Sequence, residues 1–240
     1  MKRESDEVLK EATLLCQDER ELEAEVLVKE QLKADPDNLD LMTRLGVIQA
    51  RLCNDHEAES TFRSVLIRDA NHEDAMCGLG RLLDQALRTE EAEQIYRDFL
   101  KNNPKSHCAV EDLCRLLMSE SRTAEALTLA RNHVEKYRAH PSAYDALRYL
   151  LEILEDELAA QLNDDRKNET LFNNLMNNLL EQIEYVIEIE KIDSLPESTK
   201  SELEDDKTRL ICEIKDLAES ASNRDISIPN ALHKRISEFV

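Results

Sequence analysis

Apolar positions follow a helical period through almost the whole chain, and the pattern returns every 34 residues. Ala24, Ala58, Ala92 and Ala126 mark the step. Leu45, Leu79, Leu113 and Leu147 keep it, as do Met42, Met76, Val110 and Tyr144. Phe62 returns as Tyr96, Leu83 as Leu117 and Leu151, and Gly46 as Gly80. Concordant ladders in one register define an array of helical hairpins, each burying its apolar stripe against its neighbours.

The predicted hairpins cover about 5–38, 39–72, 73–106 and 107–140, with a partial unit at 141–162. In the first, Val8, Leu9, Ala12 and Leu15 form one stripe, and Leu22, Val26, Leu27 and Leu32 the next. Asp35-Pro36 and Asn103-Pro104 stop second helices, because proline forbids helix at the residue before it. Asn54-Asp55 reads as the turn and N-cap ahead of the helix that carries Ala58. In the fifth unit the core slots hold Asp164 and Lys167, which cannot be buried, so the repeat ends there. Residues 141–162 then read as one longer helix and 163–168 as a loop.

Residues 169–240 continue as helices without the repeat: about 169–191, a second with Leu203, Leu210, Ile214, Leu217 and Ala221, and a short last one with Leu232, Ile236 and Phe239. They are expected either to cap the array or to serve as an oligomerisation or docking element; their wide apolar stripes favour the cap.

These residues resemble the tetratricopeptide repeat (TPR) family over about residues 5–156. Leu45-Gly46 and Leu79-Gly80 match its small residue after a leucine in the first helix. The four alanines match its small residue in the second helix, Phe62 and Tyr96 its following aromatic, and Pro36 and Pro104 its closing proline. The first and fourth units depart from it, with Glu11-Ala12 and Leu113-Cys114 at the Leu-Gly site. The resemblance implies an all-α, right-handed solenoid of TPR-like hairpins with a helical C-terminal cap. It also implies that the first helices line a concave groove taking a peptide or helix of another protein, as in an adaptor, scaffold or co-chaperone-like module. On that register the groove holds Arg44, Val47, Arg51, Cys77, Arg81, Asp112, Arg115, Met118 and Tyr149. One subtype holds acidic chaperone tails through Lys, Asn, Asn, Lys and Arg; here those slots hold Thr43, Val47, Gly78, Cys108 and Asp112, or one unit earlier Leu9, Thr13, Arg44, Asp74 and Gly78. Neither set matches, so that ligand class is not expected.

Charge sharpens the picture. The net charge of -21 repels nucleic acid and anionic membrane surfaces, leaving another protein as the partner. Within this acidic chain Arg44, Arg51, Arg81 and Arg115 form a basic line. They are suited to carboxylates of a bound segment, or equally to pairing with Asp74, Asp84, Glu111 and Asp112 of neighbouring units. Only 3 Gly and 5 Pro interrupt the helices, and apolar runs are broken by Arg or Glu, so no membrane insertion is expected.

No phosphate loop, nucleophile elbow or zinc-protease motif occurs, so the chain reads as a non-enzyme without metal or cofactor. The six cysteines form no Cys-x-x-Cys pair and follow no export signal, which reads as free thiols in the cytoplasm. His107-Cys108 with Cys77 and Cys114 matches no usual zinc spacing, and Cys114 sits in a close-packing slot. His72, His107 and His140, near unit boundaries, read as exposed loop polarity. The alternative to partner binding is self-assembly into a homo-oligomer through the C-terminal helices or the array faces.

Overall fold

The computed structural model describes residues 2–192 and 195–239, and their side chains apart from residues 2–4 and 222. The described residues form twelve α-helices and one 3-10 turn and contain no strand. They pack as two compact units, Met1–Arg122 and Thr123–Val240.

The first unit contains α1 (Lys2–Gln17), α2 (Glu21–Ala34), α3 (Leu39–Arg51), α4 (Asp55–Arg68), α5 (Glu73–Gln85), α6 (Thr89–Asn102) and α7 (His107–Ser119). Each helix packs on the next, and α1, α3, α5 and α7 also pack on one another in turn, which makes them the inner layer of a solenoid. Within this unit Ala24, Ala58 and Ala92 are fully buried, as the close approach of crossing helices requires. A Cβ on Gly46 would lie 2.7 Å from Phe62 Cε1, and one on Gly80 would collide with the Tyr96 ring.

Helix α2 departs from the predicted stripe. Ala24 and Val28 are buried, whereas Leu22 is 67% and Val26 57% exposed. Two apolar faces compete along Leu22–Val28, and the one carrying the small residue turns inward because only it allows α2 to approach its neighbours.

The hairpin turns show a second ladder. Glu19, Cys53, Leu87 and Ser121 each have φ between 58° and 60°, again 34 residues apart. In the third hairpin Arg88 N–H donates to the Leu83 carbonyl and Leu87 N–H to Asp84, the paired bonds of a Schellman cap. Cys53 with Asn54 and Ser121 with Arg122 repeat the pair. A left-handed conformation costs a non-glycine residue about 1–2 kcal/mol. Leu87→Gly, at a site 88% exposed, is therefore expected to stabilise the unit by about 1 kcal/mol, raising the melting temperature by roughly 2–4 °C in a thermal scan. An unchanged or lower midpoint would show that the turn is not strained.

The first helices α3, α5 and α7 are capped by side chains. Asn38 accepts from Leu41 N–H, His72 Nδ1 from Ala75 N–H and the Ser106 hydroxyl from Ala109 N–H. His72 is thus a capping residue, half-buried, with its Nε2 3.3 Å from Asp40, and not simple loop polarity. Asn54 stands at the N-cap of α4 but its side chain makes no capping bond.

The second unit contains α8 (Thr123–Tyr137), a 3-10 turn at Pro141–Ala143, α9 (Asp145–Asp164), α10 (Glu169–Glu190), α11 (Glu197–Arg224) and α12 (Asn230–Ile236). Helix α10 is its centre, packing on α9, α11 and α12. Leu203, Leu210, Ile214 and Ala221 of α11 are buried where it runs along α10. Two buried amides tie α10 to α9: Asn178 donates to the Leu151 carbonyl and Gln182 to Glu155.

Candidate functional site

The inner layer of the first unit holds a cleft of about 720 Å³. Arg44, Val47, Cys77 and Arg81 line it, together with Leu9, Lys10, Thr13, Asp40, Thr43, Asp74, Gly78 and Cys108. A smaller pocket beside it is bounded by Val47, Arg51, Phe62, Gly78 and Arg81. Asp112, Arg115 and Met118 belong to α7 but line neither cavity, and Tyr149 lies on α9 in the second unit, 38% exposed.

The basic line is mostly neutralised from within. Arg51 Nε is 3.1 Å from Glu21. Arg81 Nε donates to both oxygens of Asp112, at 3.1 and 2.9 Å, and Arg115 donates to Asp112 at 3.0 Å and to Glu111 at 2.6 Å. Asp112, whose side chain is 2% exposed, is therefore a buried carboxylate clasped by two guanidinium groups on the rim. Arg44 stands apart. Its Nε is buried without a hydrogen-bond partner, and so is the hydroxyl of Thr43 beside it. Two orphaned polar atoms on adjacent residues in one cleft wall are unusual, since each unmet group costs about 1–3 kcal/mol.

The structure brings together a group that spacing in the sequence does not suggest. Cys77 Sγ and Cys108 Sγ are 2.7 Å apart. With Asp112 they form a cluster whose donor atoms lie within 4.8 Å of one another. Cys114 is not part of it: fully buried, its thiol is pushed up by desolvation to about 12. Both Cys77–Cys108 and Arg81–Asp112 join residues 31 apart, the repeat less three, which is the offset at which facing positions of α5 and α7 meet. The outer surface has a ladder of its own. Arg88 pairs with Glu59 at 2.8 Å and Arg122 with Glu93 at 2.6 Å, both pairs 29 residues apart. Hydrogen bonding from Arg122, joined by Arg97, holds Glu93 down near about 2. Recurring Glu59/Glu93 and Arg88/Arg122 were the available signal for it.

The second unit has a separate cavity of about 510 Å³ that includes Arg131, Tyr144, Glu184 and Tyr185. Two of its charges are met internally, Arg131 by Glu181 and Glu184 by Arg235.

No sequence family profile and no curated protein match the chain. Among solved structures it is similar to a thermophilic TPR protein of Thermus thermophilus, at 17% identity and a TM-score of 0.52, over 73% of this chain and 98% of that one. It is also similar to pilF of Pseudomonas aeruginosa, at 19% identity and a TM-score of 0.50, over 98% of this chain and 95% of that one. At such identity the likeness speaks for the fold: the chain has the all-α solenoid fold of TPR proteins. Among the described residues no helix is long and apolar enough to cross a membrane.

Proposed function

We propose that the chain is a non-catalytic adaptor whose inner cleft takes a segment of another protein, with a carboxylate of that segment on Arg44. The observation that carries this reading is Arg44 in the cleft wall, the guanidinium of the basic line that holds no carboxylate among the described residues, while Arg51, Arg81 and Arg115 each already hold an internal one. A bound carboxylate accepts from its guanidinium. Val47 supplies apolar contact.

The C-terminal region, 169–240, is read as a helical cap rather than a docking arm. Its support is the burial of the α11 seam where that helix runs along α10, which leaves less apolar surface for another chain.

A peptide array presenting segments rich in Asp and Glu beside neutral and basic ones tests the cleft. Captured peptides are expected to be acidic, and Arg44→Glu is expected to weaken capture about 10–100-fold with unchanged helix content. Arg44 is the informative site, because charge reversal at Arg81 would also disrupt Asp112. Capture that ignores both peptide charge and the Arg44 change would overturn the assignment.

A further inference from the structure

The dithiol on the wall of the cleft is unexplained by partner binding. Cys77 is on α5 and is 3% exposed; Cys108 is half-buried in the first turn of α7 and borders the cleft. Ser106 caps that turn, so Cys108 sits at the positive end of a helix of 13 residues. Arg81 Nη2 lies 3.9 Å from its sulfur. Hydrogen bonding from Cys77 lowers the Cys108 thiol, Arg81 adding to the effect, while that bond and burial raise Cys77. The two thiols are thus unequal: a cleft-facing sulfur inclined to be thiolate, and a buried one that keeps its proton.

A metal does not suit this geometry. Structural zinc takes four donors. The cluster offers three among the described residues, and one of them, Asp112, is engaged by Arg81 and Arg115.

We propose that Cys77 and Cys108 are a site of reversible oxidation, at which a hydroperoxide converts the pair to a disulfide that staples α5 to α7. The Cys108 thiolate attacks one peroxide oxygen. The O–O bond breaks, the leaving hydroxide takes a proton to become water, and Cys108 becomes a sulfenic acid. Cys77 gives up its proton and attacks Cys108 Sγ, the S–O bond breaks, and the released hydroxide takes that proton as the second water. The thiols lose two electrons and two protons, and one hydrogen peroxide becomes two waters.

The test uses the full chain with a small molar excess of hydrogen peroxide, followed by alkylation of the remaining thiols and peptide mass mapping. The expected product is lighter by two hydrogens, with the Cys77 and Cys108 peptides joined and separated again by dithiothreitol. Cys53 and Cys212, both exposed, are expected to stay alkylatable. In Cys77→Ser, Cys108 is expected to persist as a sulfenic acid captured by dimedone. In Cys108→Ser, Cys77 is expected to stay reduced. Alkylatable Cys77 and Cys108 in wild-type chain whose other thiols oxidise would overturn the proposal, without reference to any variant's folding. So would cross-links confined to Cys53 or Cys212, or zinc retained at one per chain that blocks the reaction.

Discussion

Phe62→Ala is expected to cost the first unit about 3–5 kcal/mol, the usual range for truncating a buried aromatic. Phe62 is 1% exposed, and its ring fills two hollows at once. A Cβ on Gly46 of α3 would meet it at 2.7 Å, and a Cβ on Gly78 of α5 at 2.6 Å. The ring is therefore shared by two hairpins, the one that carries it and the next. Truncation leaves a void walled by glycines that have no side chain to move in, between helices held apart by their other contacts, so little of the cavity can collapse. Urea unfolding of the full chain followed by circular dichroism measures the loss. Phe62→Leu is expected to recover part of it. A cost for Phe62→Ala below about 1.5 kcal/mol, the range of volume-conserving swaps, would show that α3 and α5 close over the gap.

Much of this packing is legible in the repeat step alone. The alanine at each step marks a helix crossing, and the glycines at 46 and 80 fall opposite the aromatics at 62 and 96. Gly78 escapes the ladders because its neighbours at that step, Arg44 and Asp112, are chosen for other reasons. The left-handed turn residues escape too. Glu19, Cys53, Leu87 and Ser121 share no chemistry, and the glycine that would announce the conformation is absent from all four. The Leu22 and Val26 positions mislead because alternation within α2 offers two faces, and only the requirement for a small residue at the crossing selects between them. Of the residues the register assigns to the groove, Arg44, Val47, Cys77 and Arg81 share one cleft, Asp112, Arg115 and Met118 fall outside it, and pairing is not readable from the register. A period of 34 says which residues share a role, whereas contact across the groove depends on how far each hairpin is shifted against the last. That shift of three residues brings Cys108 to Cys77 and Asp112 to Arg81.

Replacing both Arg81 and Arg115 by methionine is expected to destabilise the first unit by about 3–5 kcal/mol, more than replacing the carboxylate they share. The asymmetry follows from burial. The Asp112 side chain is 2% exposed, while those of Arg81 and Arg115 are 53% and 45% exposed. If Asp112 is changed to Asn, each guanidinium turns toward water it already touches, and the cost is about 1–2 kcal/mol, chiefly lost charge-assisted hydrogen bonds. If both arginines go, the carboxyl group stays buried between α5 and α7 with neither water nor a cation to meet it. Methionine keeps most of the aliphatic contact of the arginine stem, so the difference reports charge rather than packing. Single variants at Arg81 and Arg115 should each cost far less than half of the double, because either guanidinium alone still meets the carboxylate, and a double-mutant cycle reads that surplus as coupling. Costs that simply add, or an Asp112→Asn loss equal to that of the double methionine variant, would show that the carboxylate is hydrated and that the clasp contributes little to holding α7 on α5.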